Sequence, residues 1–201
     1  MSGGQHKLLL PLGGRPVLIH VLETALASQA RPIILVLGHR ADEVRSQVAA
    51  QIQQHDISII ENSNYQQGMS TSLHMGLHAL TNIKDNNRQS VDLPTSTVIL
   101  LGDQPLMTAA IIDRLIATRA TSGQSIILPL YHGKRGNPVL FAANLFPELM
   151  AVTGDEGGRS VIMRHPKDVA TVEVSEVTAS SDIDTWEAYQ QVVAEWQRTQ
   201  K

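Results

Sequence analysis

At 201 residues the chain is long enough for one domain with a full core. Its net charge of −3 argues against a nucleic-acid partner, and the absence of cysteine excludes disulfides, thiolate metal sites and a cysteine nucleophile. No apolar run approaches the roughly 20 residues of a membrane span, and the Leu8–Leu12 stretch is too short for a signal peptide, so the expectation is a single cytoplasmic domain over residues 1–201 with no membrane contact.

The chain opens with Gly3 and Gly4, then Lys7 and the apolar run Leu8–Leu12. Glycines let backbone N–H groups approach an anion closely and a lysine adds a point charge, so the stretch looks like the second half of a phosphate-binding loop. Such a loop follows a buried strand. It is not the G-x-x-x-x-G-K-[ST] loop, because Leu8 stands where the hydroxyl belongs. A helical pattern follows near 15–29, then an apolar run of strand length at 33–37 that ends at Gly38-His39. Helix near 41–54, strand at 57–60 and helix near 69–82 come next, the last entered through Gly68-Met69-Ser70-Thr71-Ser72. Residues 83–96 are polar and turn-rich and read as a surface loop. A strand at 97–101 ends at Gly102-Asp103-Gln104-Pro105, followed by helix near 108–122 and weaker strands at 125–128 and 169–174. Helices near 157–164 and 184–198 close the pattern.

The strands at 33–37 and 97–101 are apolar throughout, as expected where helices cover both faces of a sheet. The alternation of strand and helix implies an α/β three-layer sandwich with a mostly parallel sheet. Ligands in such folds sit beyond the carboxyl ends of the strands, which places Gly38-His39 and Gly102-Asp103 on the functional edge.

Several residue sets there carry chemistry, each beside a structural alternative. Asp103, at the end of a buried strand, can hold magnesium, a hard cation that prefers oxygen ligands, or can cap the helix after it. Asp182 and Asp184, before the last helix, are its best partners for a metal, although Asp184 also suits an N-cap. The N–H groups and hydroxyls around Met69, Ser70 and Ser72 can hold a base edge or a phosphate, or Ser70 or Ser72 can simply cap the helix. His74 and His78 lie one turn apart but lack the H-E-x-x-H glutamate, since Met75 follows His74. Arg135-Gly136-Asn137-Pro138 and Gly154-Asp155-Glu156-Gly157-Gly158-Arg159 read as turns, the second also as an anion-accepting helix start.

Taken together and in order, these motifs resemble the molybdenum cofactor nucleotidyltransferases, with the cytidylyltransferase branch the nearest match. The resemblance runs over nearly the whole chain, from Gly3-Gly4-Gln5-His6-Lys7 through Gly102-Asp103-Gln104-Pro105 and Gly136-Asn137-Pro138-Val139 to Asp182-Ile183-Asp184-Thr185. It implies a Rossmann-like nucleotidyltransferase fold and transfer of CMP from CTP to the terminal phosphate of the molybdopterin cofactor, with release of pyrophosphate. It implies that Gly3, Gly4 and Lys7 cradle the triphosphate and that Gly68, Met69, Ser70 and Ser72 lie near cytosine and ribose. Asp103, Asp184 and Asp182 would hold Mg2+, and Asn137 with Gly154, Asp155 and Gly157 would face the pterin. Lys7 and Asp103 would be the catalytic pair, and a recipient molybdoenzyme or its chaperone a partner. Two other readings remain: a non-catalytic nucleotide- or pterin-binding delivery protein, and a guanylyl- or sugar-phosphate nucleotidyltransferase.

The family begins with a strand and a Leu-Ala-Ala-Gly-x-x-x-Arg-Met-Gly-Gly loop. Here Met1 stands in the place of the arginine and Ser2 in that of the methionine. The resemblance therefore implies an N-terminally truncated sheet whose first strand is missing, with unpaired ladder groups and weakened triphosphate binding.

Overall fold

The computed structural model describes residues 6–52, 57–82, 93–175 and 177–199. A small hairpin of β1 (Pro11–Leu12) and β2 (Arg15–Pro16) leads into α1 (Val17–Ala27). Next, β3 (Ile33–Leu37), α2 (Ala41–Ile52) and β4 (Ile57–Glu61) form a parallel β–α–β unit, with Ile33 opposite Ile57 and Leu37 opposite Glu61. After α3 (Met69–Thr81) come β5 (Ser96–Ile99) and α4 (Ala109–Ser122). The remaining strands are β6 (Ile126–Tyr131), β7 (Lys134–Arg135), β8 (Val139–Ala142) and β9 (Val169–Val174). The short helices α5 (Phe146–Leu149) and α6 (Arg159–Arg164) lie between β8 and β9, and α7 (Trp186–Thr199) follows them.

The larger sheet runs β5-β8-β6-β7, with β9 parallel to β6. It is mixed, because β8 runs antiparallel to both β5 and β6. The sequence reading lacked β8: Val139-Leu140-Phe141-Ala142 is only four residues long and directly follows a turn-like Gly-Asn-Pro. Its side chains alternate as a strand requires. Val139 and Phe141 join Ile126 and Leu128 in a core roofed by Leu77 and Leu80 of α3 and by Phe146, Leu149 and Val161. Leu140 and Ile127 point the other way, into a core with Ile111 and Leu115 of α4. A third cluster packs α1 and α2 on β3, and a fourth joins Leu10, Leu12 and Val17 to Ile183, Tyr189 and Val192.

This topology sets up the functional edge. Because β8 is antiparallel to β5 and Ile99 lies opposite Val139, Asn137 sits just beyond the carboxyl end of β5, alongside Gly102-Asp103. The ends of β6 and β9 reach the same edge. One expectation is met only in part. The apolar strands at 33–37 and 97–101 should be buried on both faces, yet Ile34, Leu35, Val36, Val98 and Ile99 are only half-buried. Among the described residues β3 pairs with β4 alone and β5 with β8 alone, so their facing edges are open. No helix among the described residues is long and apolar enough to cross a membrane.

Away from that edge, His165 ties α5 to the end of α6. One ring nitrogen lies 2.7 Å from Glu148 Oε1 and the other 3.1 Å from Asp168 Oδ2. With a carboxylate at each nitrogen, both nitrogens are best used as donors, so the cationic ring is favoured. The Glu148 hydrogen bond first, then that of Asp168, raises its pKa above 6.5. A raised pKa adds stability that is present below the ordinary value and lost as pH climbs through the folded-state value. Thermal melts from pH 6 to pH 9 should therefore show a fall in Tm that is smaller in His165→Gln; equal slopes in the two proteins would exclude the clasp.

Candidate functional site

Residues from the two ends of the chain meet beyond β5. Lys7 Nζ donates to Asp103 Oδ2 at 2.5 Å and to Asp184 Oδ1 at 2.8 Å. Asp103 is held by the turn that ends β5, and its carbonyl accepts from Ile183 N–H at 3.2 Å, which docks the 182–184 segment against it. Ile183 is fully buried, so Asp182 and Asp184 on either side of it are fixed in place by an apolar anchor. Burial of Lys7 by itself would lower its pKa, but the hydrogen bonds and charges of Asp103 and Asp184 outweigh it and hold the ammonium above its ordinary value.

Asp182 faces a different partner, accepting a short hydrogen bond from Gln104 Nε2. Desolvation, reinforced by the charges of Asp103 and Asp184, raises its pKa in spite of that bond. Gln104 is buried and also donates to the carbonyl of Ser180 at 3.4 Å, so it fastens the 180–182 segment to the β5 edge. Sequence reasoning gave Gln104 no role; a polar side chain directly after a strand-end aspartate was the available signal.

Asp103 and Asp184 converge on one cationic atom. That donor set suits a hard divalent cation, which takes carboxylate oxygens and completes its shell with water or phosphate. Among the described residues no group of three or more His, Asp or Glu is arranged as a closed metal site. A cation here would thus rest on two carboxylates and need ligands from its substrate. Of the two histidines on α3, Nε2 of His74 is buried without a hydrogen-bond partner, while His78 is exposed.

The loop before α3 is organised from outside the helix. Neither Ser70 nor Ser72 caps it; Gly68 is the N-cap residue, with no side-chain cap. Instead Met69 N–H donates to Asp155 Oδ1 at 3.0 Å and Ser70 N–H to the carbonyl of Gly154 at 2.9 Å. The donors that the sequence leaves open to a ligand are therefore partnered by the Gly154-Asp155 loop. Gly68 has φ +111°, and a Cβ there would lie 2.4 Å from the carbonyl carbon of Gly154. Met69 Sδ in turn lies 3.2 Å from where a Cβ on Gly157 would be. Ser72 accepts from Asn62 Nδ2 at 2.9 Å, and Asn62 is itself buried against the end of β3 through its N–H to Leu37. Asn62 also went unrecognised in the sequence, where it follows a strand that had been read only as far as residue 60.

Asn137 lies at the same edge, its carbonyl accepting from the hydroxyl of Tyr131 at 2.8 Å. His6 stacks on His39 with ring centroids 5.7 Å apart, and His39 in turn meets Tyr65. Gly3 and Gly4 lie outside the described residues.

A layered α/β body with a mixed sheet and a carboxylate-lined edge beyond its strands is that of a nucleotidyltransferase. The chain belongs to the MobA-like NTP transferase domain family, whose model matches residues 1–169. Rv0371c from Mycobacterium tuberculosis H37Rv superposes with a TM-score of 0.76 at 27% identity, covering 95% of this chain and 90% of that one. A complex of Rv0371c with manganese superposes at 0.74 with 26% identity over 96% and 94% of the two chains. A molybdopterin-guanine dinucleotide biosynthesis protein A from Archaeoglobus fulgidus shares the fold, with a TM-score of 0.64 at 14% identity over 97% and 92%. In sequence, the bifunctional protein GlmU of Cupriavidus taiwanensis is 37% identical over 111 residues, 55% of this chain; the match spans only 21% of that protein.

Gly68→Ala combines a disfavoured φ with a backbone collision, whereas Asp155→Ala removes one cap. Calorimetry should show Asp155→Ala costing about 1 kcal/mol and Gly68→Ala clearly more. The reverse order would show that the two loops do not support each other.

Proposed function

We propose that this chain transfers a nucleotidyl group, CMP from CTP, to the terminal phosphate of the molybdopterin cofactor and releases pyrophosphate. The observation that carries the reading is the convergence of Asp103 and Asp184 on the Lys7 ammonium at the carboxyl edge of the sheet. Acidic ligands for a divalent cation and a lysine for phosphate charge occupy one point, which is what phosphate chemistry on a nucleoside triphosphate needs. The likeness to a manganese-bound relative supports the divalent cation. The family match supports the reaction class, and the motif resemblance at Gly102-Asp103-Gln104-Pro105 and Leu8–Leu12 favours CTP over GTP.

Asp103 and Asp184 would hold Mg2+, and Asp182, fastened to Gln104, would fix the segment that carries Asp184. When bound, the cation supplies neutralisation of the triphosphate oxygens. Lys7 would set its ammonium against the charge that develops on the leaving pyrophosphate. The attacking group is the cofactor's own phosphate, so the protein needs no covalent nucleophile. Its work is to align that phosphate with the α-phosphorus of CTP and to exclude other acceptors. Asn137 at the β5 edge and the Gly154–Gly157 loop beside Met69 are the proposed walls for the pterin, with Gly68, Met69, Ser70 and Ser72 toward the base and ribose. Transfer onward to a recipient molybdoenzyme or its chaperone is part of the same proposal.

Pyrophosphate release, measured with CTP or GTP and with molybdopterin or a sugar phosphate as acceptor, tests the reading. The expected outcome is release with CTP, molybdopterin and Mg2+ that falls by about 10²–10³ in Asp103→Asn. Release with a sugar phosphate alone would replace the acceptor. Tight CTP binding without release would make the chain a delivery protein. Wild-type rates in Asp103→Asn would remove the carboxylate assignment. Lys7→Met should lose turnover by a similar factor while binding Mn2+, followed by its spin-resonance signal, more tightly than the parent in the absence of nucleotide, because the ammonium no longer competes for Asp103 and Asp184.

A further inference from the structure

One edge of β6 pairs with β9 along the whole of Ile126–Tyr131, so β7 and β8 share its other edge. They share it out of step. Ile127 lies opposite Leu140 and Leu130 opposite Arg135, so three steps along β6 match five along its partner. The surplus lies at Gly136-Asn137-Pro138, which makes β7 the continuation of β8 beyond a bulge. A bulge bends its strand and re-aims the side chains around it. Before β7 the chain reverses at His132-Gly133, where φ values of +49° and +74° suit a tight hairpin turn. The bulge is held from two directions. The Tyr131 hydroxyl donates to the Asn137 carbonyl at 2.8 Å, and a Cβ on Gly136 would lie 2.8 Å from the Tyr131 ring and 3.9 Å from Ser180 Cβ. Ser180 belongs to the segment that Gln104 fastens beside Asp103. The hairpin therefore rises from the rim of the site on a fixed base.

Its exposed residues are His132, Gly133, Lys134 and Arg135. Neither Lys134 nor Arg135 has a carboxylate partner among the described residues. Register separates the two. Tyr131, opposite Lys134, belongs to the core beneath α4, whereas Leu130, opposite Arg135, packs on the core beneath α3 and α6. Directly opposite residues share a face of a sheet. Arg135 thus stands on the side of the Gly154-Asp155 loop that caps α3, and Lys134 on the far side.

A guanidinium without a carboxylate has a chemical use at this place. Asp103, Asp182 and Asp184 outnumber the Lys7 ammonium that faces them, so the rim repels a phosphate dianion approaching the sheet edge. A guanidinium offers parallel N–H groups to phosphate oxygens and keeps its charge at any working pH. We infer that Arg135 is the clamp for the phosphate monoester of the acceptor, presented by the bulge so that this dianion is drawn in past the carboxylates. The inference rests on the reaction proposed above in one respect, that the acceptor is a phosphate monoester.

The test is equilibrium binding by calorimetry, without turnover. Hydroxymethylpterin phosphate is compared with unphosphorylated hydroxymethylpterin, a hexose phosphate with the free hexose, and CTP is titrated separately. The parent should prefer the phosphorylated member of a pair by about tenfold or more, and the preference should shrink as salt is raised. Arg135→Gln should lose that preference and Arg135→Lys keep part of it. Lys134→Gln, on the other side of the same hairpin, should keep all of it, and CTP affinity should be unchanged in all three variants. No phosphate preference in the parent, or an equal loss in Lys134→Gln, would overturn the assignment. So would a matching loss of CTP affinity in Arg135→Gln, which would give the guanidinium to the nucleotide. A preference confined to the hexose pair would keep the clamp and change the acceptor. A parent that shows the preference yet releases no pyrophosphate from CTP with either phosphate would fail the reaction and leave the clamp standing.

Discussion

One ammonium group links carboxylates from two distant parts of this chain. Lys7 comes from the first described turn and meets both Asp103 at the end of β5 and Asp184 from the segment before the last helix. In energy the contact is modest. Lys7 is 38% exposed and Asp184 69% exposed, so that pair is screened and worth no more than about 1 kcal/mol, while Asp103 at 14% exposure depends on its partner more heavily. Its importance is positional. Two carboxylates close together repel unless a cation lies between them, so the edge is built around a positive charge whether a lysine or a metal supplies it. Removing Lys7 without a replacement would leave Asp103 as a nearly buried uncompensated charge.

The surroundings make this edge stiff by methods that cost little. Ile183 is buried between the two aspartates that flank it, so apolar packing sets the position of polar groups. Gln104 uses both a carbonyl and a carboxylate of the 180–182 segment. Across the site, Gly68 lets the backbone of the 154–155 loop approach close enough to cap α3, and that loop leads through Gly158 into α6, where a Cβ would strike Phe141 of the sheet core. The base of the site and the larger hydrophobic core are therefore joined through glycine positions where backbone meets backbone or ring.

Long periodic elements were legible in the sequence, and short or non-local features were not. The strand at 33–37 was read with its true bounds because a run of five apolar residues, rich in Ile and Val and set between Pro32 and Gly38, has the length and flanks of a strand. Helices α3, α4 and α7 were placed within a residue or two for the same reason. Strand β8 was hidden because four residues after a proline turn carry almost no periodic signal; what makes them a strand is pairing with β5 and β6, which local sequence does not encode. The meeting of Asp103 with Asp184 was an inference from motif order, since residues so far apart in sequence carry no local trace of contact. The capping of α3 by Asp155 was missed because Ser70 and Ser72 offered a nearer and more ordinary cap. Ser70 is instead buried and Ser72 bonded to Asn62, so tertiary contacts overrode the local preference.

The cavity between β3 and β5 and the charged edge meet at residues 7–8 and 102–103. Leu8 packs over Gly102, where a Cβ would come within 3.4 Å of it, and the same Leu8 lines the mouth of the cavity between β3 and β5. The next residue back is Lys7, whose ammonium sets the spacing of Asp103 and Asp184. The position of the ammonium that neutralises the two aspartates is thus tied to the apolar packing of its neighbour Leu8 between Gly102 and the cavity wall, and an interaction of charge takes its place from neutral contacts.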